Sequence, residues 1–425
     1  MESSSAFQEP LRWIVAQEGS RQSYAVPVSL HRLGFLRLYY ADVWCRWGRS
    51  ALRRGPTGAR ALAGRFQHEL PPDRVVSFSP RAVLAKTVQH FRRGWQTPEE
   101  RADEFCRYGR WFAGRVREHL KTIELDPARD VFFGFDTNSL EALDLLKERG
   151  VFTIVDQVDP GKFHEDMVIE ECERWPGWQK LPGRTPQPYW DRREAEWQTA
   201  NLVLVNSEWS RQALIQQGVS GVKIVVVPLA IDLSNEHFAQ PVEARGSLKV
   251  LWLGNVIVSK GIQYLVEAAR ILEGRDIEFL LAGPVGIERD IVRKFPRSMK
   301  LLGRVTRDKL GEVYRQAHVF VLPTISDGFA VTQLEAMAHG LPVVATPNCG
   351  RVVTDGVDGS IVPARDSRSL ADALARLDSD RRLVREMSRN ALITIRKYNL
   401  PSNARLMQGC AISARSRQGF PVVVR

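Results

Sequence analysis

The chain has 425 residues, of which 44% are hydrophobic, so it is globular and long enough that two domains are expected. Its 60 lysines and arginines exceed its 49 acidic residues and give a formal charge of +11, yet it has no motif of a nucleic-acid-binding fold, and no nucleic-acid partner is expected. The five cysteines lie far apart, so neither a disulfide frame nor a zinc site is expected. The sequence shows neither a signal-type leader nor a run of ~18 apolar residues, so a membrane span is not expected. A cytoplasmic location is expected.

In the first half of the chain, short apolar strands alternate with helical segments, which is typical of parallel sheets covered on both faces. The predicted helices include residues 139–149 and 207–217. A polar segment that contains Pro241 and Gly246, residues 235–247, is the predicted linker. The predicted strands span residues 11–16, 75–78, 131–135, 151–155, 202–205 and 224–227.

The second half repeats this alternation, so the fold class is predicted to be α/β, with two Rossmann-like domains whose parallel sheets face a central cleft. The domains are predicted at residues 1–240 and 241–400, and residues 401–425 are predicted to be a basic helix or tail that crosses back to the first domain. The predicted strands of the second domain span residues 249–253, 278–282, 299–302, 319–322 and 343–345.

The most informative run covers residues 321–356, where a strand, a glycine-containing turn and a helix predicted at 330–339 follow one another. Gly340 and Pro342 would end this helix. Two carboxylates, Asp327 and Glu335, flank backbone amides that suit the phosphates of a nucleotide sugar. On the residues alone, the competing interpretation is that Asp327 is a helix N-cap and Glu335 a solvated helix residue.

This run resembles the D/E-x7-E segment of the retaining GT-B glycosyltransferases of family 4, whose pattern is Glu-Gly-Phe-Gly, three or four variable residues, Glu-Ala-Met-Ala, a small residue and Gly-x-Pro-Val-Val-Ala. The resemblance implies a GT-B fold in which Asp327, replacing the usual glutamate, contacts the donor sugar and Glu335 holds the ribose hydroxyls. It also implies that the backbone at Gly328, Phe329, Ala330 and Val331 binds the diphosphate. The matching positions are Gly328, Phe329, Glu335, Ala336, Met337, Ala338, Gly340, Pro342 and residues 343–345.

A second matching segment covers residues 251–261, in which a strand ends at Gly254 and a helix begins near Lys260. Gly254 permits close approach of a backbone, and a lysine at such a junction can neutralise a diphosphate leaving group. The family has Gly-Arg, a short loop and Lys-Gly here, so the resemblance implies that Lys260 is the phosphate lysine and, with Asp327, catalytic. Asn255 replaces the family's arginine within the donor site. The family's base-binding loop maps onto Arg304 and Val305, and Arg304 would supply the charge that Asn255 lacks.

The resemblance assigns the donor to the second domain and the acceptor to the first. Gly19 lies in the loop after the first strand, where the family has a glycine-containing loop close to the donor. Many family members place a histidine after the strand predicted at 151–155, and Gln157 or Asp159 would occupy that position here. His164 comes several residues later and is predicted to be a surface helix residue. The tryptophans between residues 170 and 197 are predicted to pack in the core or between domains, with sugar stacking as the alternative.

No metal and no organic cofactor are expected, since a nucleoside-diphosphate sugar would be a substrate. The D-x-D of residues 378–380 is predicted to be a turn between helices, and the chain has no G-x-G-x-x-G. Two basic stretches, residues 37–65 and 401–425, suggest peripheral contact with an anionic inner membrane surface, against the alternative of a solvated surface. The first of them carries the aromatics Tyr39, Tyr40, Trp44 and Trp47.

The predicted activity is therefore metal-independent, retaining transfer of a hexose from a nucleoside-diphosphate sugar to a glycan, lipid-linked or small-molecule acceptor, as in polysaccharide biosynthesis. The alternative is a protein of the same fold that binds sugar nucleotides or glycans with little or no catalysis, which Asn255 favours. An epimerase or a phosphorylase on this fold is a third candidate.

Overall fold

The computed structural model of the chain describes residues 9–55, 57–79, 82, 97–234, 241–243 and 245–421. Two entirely parallel sheets form its framework, the first with strand order 3-2-1-4-5-6-7 and the second with strand order 10-9-8-11-12-13. The first sheet consists of β1 (Arg12–Gln17), β2 (Leu36–Ala41), β3 (Val75–Ser77), β4 (Asp130–Phe135), β5 (Phe152–Gln157), β6 (Leu202–Val205) and β7 (Ile224–Val226). The second consists of β8 (Leu248–Leu253), β9 (Ile277–Ala282), β10 (Met299–Gly303), β11 (Val319–Leu322), β12 (Val343–Ala345) and β13 (Gly359–Ile361).

Helices connect the strands and cover both faces of the sheets. Those of the first half are α1 (Ala25–Arg32), α2 (Arg49–Arg53), α3 (Thr57–Ala63), α4 (Pro98–Leu120), α5 (Leu140–Glu148), α6 (Lys162–Arg174), α7 (Gln187–Thr199) and α8 (Glu208–Gln216). Those of the second half are α9 (Ile262–Ile271), α10 (Arg289–Val292), α11 (Leu310–Arg315), α12 (Thr332–Ala338), α13 (Ser367–Ser379), α14 (Arg381–Thr394) and α15 (Leu400–Arg417).

The predicted α/β class and the two parallel sheets are confirmed, and every predicted strand is present within two residues of its expected bounds. Two further strands, β2 and β13, were not predicted. Of the turn predicted at residues 378–380, only Asp380 lies between α13 and α14, and its carboxylate caps α14 through the amides of Arg382 and Leu383. Part of the predicted linker, residues 235–240 and 244, lies outside the described residues.

Strand β2 corrects the interpretation of residues 37–65 as a membrane-facing aromatic stretch. Tyr39 and Tyr40 are fully buried within the sheet, and Arg37 pairs with the buried carboxylate of Asp130 on β4. Trp44 packs edge-on against Tyr39, with ring centroids 5.9 Å apart. Only Trp47 of the four aromatics is largely exposed, at 78%, so within residues 37–65 the membrane prediction now depends on Trp47 and the surrounding arginines.

The second sheet has an apolar core on each face. All four residues of β11 are buried, as expected for a central parallel strand. On one face, residues such as Leu265 of α9 and Leu374 of α13 pack against the sheet. On the other face, Leu334 and Met337 of α12 do so. These two layers fix the carboxyl ends of β8 to β11, where the following loops meet.

The last helix, α15, returns to the first sheet. Its apolar side, which includes Leu400, Met407 and Ala411, is buried together with residues of β1, β4 and β5. The Trp13 indole of β1 donates a hydrogen bond to Gln408 Oε1 at 2.6 Å. The core of the first sheet is therefore completed by the C-terminal part of the described chain.

Candidate functional site

The loops that leave β8, β9, β10 and β11 surround a cleft of about 590 Å³. The carboxyl ends of parallel strands are where open α/β sheets bind ligands. The structure brings most of the predicted donor-site residues into this cleft. Its lining includes Gly254, Asn255, Lys260, Arg304, Val305, Asp327, Ala330 and Val331.

Lys260 and Asp327 form an ion pair inside the cleft. Lys260 ends a 3₁₀ turn (Val258–Lys260), and Gly261 follows with a φ of 76°. A Cβ at Gly261 would lie 1.8 Å from the Pro323 carbonyl oxygen, so only glycine lets this turn meet the end of β11. The side chains are 26% and 19% exposed, respectively, and each charge is therefore partly screened from water and accessible to a ligand.

The segment after Asp327 differs from the predicted helix. Helix α12 begins at Thr332, because Ala330 has a left-handed backbone with a φ of 59°. Asp327 lies five residues before the helix and its amide donates to the Asn348 carbonyl oxygen at 3.0 Å, so the competing interpretation as an N-cap is wrong. Ala330 occupies the position where the family pattern has its second glycine.

Phe329 and Gly328 face away from the cleft. The Phe329 side chain is 2% exposed and lies against Gly350, where a Cβ would come within 2.2 Å of its ring. Gly328 packs on the first domain, since a Cβ there would lie 2.3 Å from the Val158 carbonyl oxygen. Their neighbours Ala330 and Val331 are the residues of this segment that line the cleft.

Glu335 lies beside the cleft in an adjoining cavity of about 290 Å³. One carboxylate oxygen accepts a hydrogen bond from Tyr314 Oη at 2.8 Å. Val331 lines both cavities, so a ligand that passes Val331 reaches Glu335. The side chain is half-buried and held in place, which does not fit a freely solvated helix residue.

The positive charge of the cleft comes from Lys260 and Arg304. Arg304 is exposed at the rim, and Asn255 is also exposed. The structure therefore places Arg304 in the same cleft as Asn255, as the sequence predicted, but in a solvated position that weakens its electrostatic effect.

Residues 247–380 match the family model described as Glycosyl transferases group 1. We call this matched segment, about a third of the chain, the group 1 domain. The cleft described above lies within it, since every residue of its lining falls in this range.

Two curated relatives illustrate the match. Sucrose-phosphate synthase of Zea mays is 34% identical over 142 residues, which are 31% of this chain and 13% of that protein. D-inositol 3-phosphate glycosyltransferase of Pseudarthrobacter chlorophenolicus is 29% identical over 214 residues, which are 46% of this chain and 51% of that protein. The chain thus spans about half the length of the second relative and much less of the first.

The likeness to a solved structure extends beyond the group 1 domain. HepE of Anabaena, solved in complex with UDP and glucose, superimposes with a TM-score of 0.57 at 14% identity. The superposition covers 95% of this chain and 100% of that chain. Together with the two parallel sheets, it shows a two-domain Rossmann-like GT-B fold.

His164 lies on a helix, α6, as the sequence predicted, but it is not fully exposed. It is half-buried, and its Nδ1 is buried with no hydrogen-bond partner among the described residues. Burial lowers the pKa of His164, with the charges of Asp159, Lys260 and Asp327 all acting on it. The sequence signal was the family's histidine after this strand, and His164 comes several residues after that position.

Gln157 and Asp159 shape the loop that leads to His164. Gln157 is buried and accepts a hydrogen bond from Trp197 Nε1 at 2.9 Å, while its Nε2 donates to the Asp159 carbonyl oxygen at 2.9 Å. Asp159 accepts from Arg193 at 2.7 Å and keeps a side-chain exposure of 42%. Gln157 therefore positions the loop, and Asp159 can also meet a ligand.

Gly19 follows β1 at the carboxyl edge of the first sheet. Its amide donates to the buried Asp42 carboxylate at 3.0 Å. A Cβ at Gly19 would come within 2.6 Å of Arg65 Nη1. The structure thus places Gly19 under an arginine, and it is not among the residues that line the cleft of the group 1 domain.

A buried acidic cluster lies at the carboxyl ends of β4 and β5. Asp136 and Asp156 are each 3% exposed, and Asp136 pairs with Arg193 at 2.7 Å and with Arg21 at 3.5 Å. Burial, with the neighbouring Asp136, raises the pKa of Asp156 to about 8. Asp156 is therefore largely protonated at neutral pH.

The tryptophans between residues 170 and 197 divide into two groups. Trp175 and Trp178 pack against the group 1 domain, and Trp197 lies in a core cluster of the first domain. Trp190 instead lines a separate cavity with Tyr189.

Across the described residues, no helix is both long enough and apolar enough to cross a membrane.

Proposed function

We propose that the protein transfers a sugar from a nucleoside-diphosphate sugar to an acceptor hydroxyl, with retention of the anomeric configuration. The observation that carries this proposal is the Lys260–Asp327 ion pair in a cleft at the carboxyl ends of β8 to β11. The names of the relatives, a sucrose-phosphate synthase and an inositol phosphate glycosyltransferase, agree with glycosyl transfer. The UDP and glucose in the HepE structure agree with a nucleotide-sugar donor.

The ion pair suggests how the donor would bind. Without a ligand, Lys260 and Asp327 satisfy each other's charge. A bound donor would separate them, with the diphosphate on the ammonium of Lys260 and the sugar hydroxyls on the carboxylate of Asp327. Lys260 would then stabilise the negative charge that develops on the leaving diphosphate, which is the main requirement of the reaction.

We also propose that this chemistry proceeds without a metal ion, because Lys260 can take the role of a divalent cation at the diphosphate. His164 would contribute a neutral imidazole to the donor sugar or to the incoming hydroxyl, since its lowered pKa disfavours the charged form. A cytoplasmic location, where nucleotide sugars are available, completes the proposal.

The second candidate is a sugar-nucleotide-binding protein with little or no turnover, and Asn255 favours it. Because the exposed Asn255 carries no charge, only Lys260 and the solvated Arg304 of the cleft lining would supply positive charge to the leaving group. Binding needs less positive charge than catalysis does, because only the transition state carries the additional charge.

Nucleotide release from a panel of UDP-, GDP- and ADP-sugars distinguishes the candidates, after a thermal-shift screen has selected the donor. We expect slow release that stops in Asp327→Asn and continues in Asp290→Asn, a matched change at an exposed ion pair outside the cleft. Tight binding without release, with or without glycosides as acceptors, would show a binding protein. Nucleotide release that requires inorganic phosphate would show a phosphorylase, and a changed donor sugar without nucleotide release would show an epimerase.

A further inference from the structure

A second cavity, of about 470 Å³, opens in the first domain between α4, α6 and α7. This volume suits a small ligand such as one or two sugar units. The residues that carry the argument are Phe105, Asp159, His164, Tyr189, Trp190 and Arg193. None of them belongs to the lining of the donor cleft.

One wall of this cavity is aromatic. The Tyr189 and Trp190 rings meet edge-on with centroids 5.0 Å apart, and Phe105 lies 6.1 Å from Tyr189. Arg193 lies behind both, with its guanidinium 5.5 Å from Tyr189 and 5.4 Å from Trp190. The Trp190 indole is fixed by a hydrogen bond to the Thr185 carbonyl oxygen at 3.2 Å. Held rings of this kind bind apolar C–H faces with little loss of conformational freedom.

The charges of the cavity are balanced. Among its described lining residues are two arginines, Arg101 and Arg193, and two carboxylates, Asp159 and Glu165. Arg193 is committed to Asp136 and Asp159, at 2.7 Å each. Glu165 accepts a hydrogen bond from the Thr185 amide at 2.9 Å. An anionic ligand would find only the exposed Arg101 among the lining residues, so an uncharged ligand fits better.

The inner end of the cavity reaches the donor side through His164. This residue lines the cavity beside Asp159, and its Nδ1 is buried without a hydrogen-bond partner among the described residues. Val158, the residue before Asp159, contacts Gly328, the residue after Asp327, since a Cβ at Gly328 would lie 2.3 Å from the Val158 carbonyl oxygen. A hydroxyl that bonds to His164 would therefore face the position where the donor sugar is expected.

We propose that this cavity is the acceptor site and that it takes an uncharged sugar residue, stacked on Tyr189 and Trp190 with a hydroxyl at His164. The proposal rests on the proposed function for its donor half, and it names the class of acceptor: a neutral glycoside. Asp159, at 42% exposure, would accept hydrogen bonds from further hydroxyls of the ring.

Saturation-transfer NMR with the nucleotide-loaded protein tests the site without the need for turnover. The probes are the methyl glycosides of glucose, galactose and mannose, with glucose 6-phosphate as the anionic arm. We expect Trp190→Ala to weaken glycoside binding about tenfold, Trp190→Phe to weaken it much less, and the nucleotide Kd to stay unchanged in both. Trp47→Ala, at an exposed tryptophan elsewhere, is the matched control.

Arg101→Glu provides a second variant, because Arg101 is exposed and its replacement should not disturb folding. We expect it to leave the binding of neutral glycosides unchanged. Preferred binding of glucose 6-phosphate that is lost in Arg101→Glu would overturn the proposal in favour of an anionic acceptor. Unchanged glycoside binding in Trp190→Ala, with nucleotide still bound, would overturn the acceptor site alone, whereas a protein that binds no nucleotide would refute the donor half.

Discussion

Replacement of Lys260 by alanine tests the donor cleft most directly. An ammonium about 4 Å from a phosphate contributes ~4 kcal/mol at an effective dielectric constant of ~20. Lys260 is 26% exposed and already paired with Asp327, so we halve this figure to ~2 kcal/mol, or about a 30-fold increase in the Kd of the nucleoside diphosphate. The carboxylate of Asp327, left without its partner, would add to the loss by repelling the ligand.

Isothermal titration calorimetry with UDP, GDP and ADP measures this change. The experiment is best done at two ionic strengths, because the effect of a partly buried charge should weaken only modestly with salt. Lys294→Ala, an exposed lysine outside the cleft, is the matched control and should leave the Kd unchanged. A shift of less than about threefold in Lys260→Ala, in a variant that melts like the parent, would refute the assignment of Lys260 to the diphosphate.

Three further predictions concern Arg304, Ala330 and Asp156. Arg304→Ala should raise the same Kd only about threefold, an effect that high salt removes, because Arg304 is exposed. Ala330→Gly should raise the free energy of unfolding by ~0.5 kcal/mol in urea denaturation, since relief of a left-handed alanine, ~1 kcal/mol, exceeds the added entropy of the unfolded chain. Asp156→Asn should stabilise the protein by roughly 5 kcal/mol at pH 8 and have little effect at pH 4. The native pKa of Asp156, about 8, is higher than the ~3.9 of an unfolded aspartate, so its contribution to stability is full below pH 4 and is lost as the pH rises towards 8.

Each of these predictions has its own contrary result. A salt-independent loss in Arg304→Ala would mean a direct, desolvated contact. The helical control Ala375→Gly is expected to lose ~1 kcal/mol of unfolding free energy. If Ala330→Gly is destabilised by as much, the left-handed backbone at Ala330 carries no strain. Parallel melting curves of Asp156→Asn and the parent from pH 4 to pH 8 would show that the Asp156 carboxyl titrates normally.

The strands were largely predictable because central parallel strands are continuous apolar runs. Strand β2 was not predicted because Arg37 and two tyrosines resemble a basic, aromatic surface segment. In the fold, Arg37 neutralises Asp130 and both rings are buried. Strand β13 was not predicted because its three residues, Gly359–Ile361, do not form an apolar run. Local pattern cannot reveal a buried ion pair that joins residues 93 positions apart.

The position of the cleft in the group 1 domain was predictable for a similar reason. Lys260 lies seven residues after the end of β8 and Asp327 five residues after the end of β11, and parallel strands bring such ends together. His164 was not predictable, because its place depends on how α6 of one domain packs towards the other. The left-handed Ala330 was equally hidden, since alanine gives no local sign of such a backbone.

Helix α15 has a consequence for the order in which the chain folds. The first sheet begins at Arg12, yet its core needs Leu400, Met407 and Ala411, and the hydrogen bond from Trp13 to Gln408 joins residues 395 positions apart. Domains usually fold as they leave the ribosome, with the N-terminal one first. Here the domain that is synthesised first is completed last. The apolar surface that α15 covers stays exposed until the whole group 1 domain has been made. We expect nascent chains to need protection from aggregation during that interval.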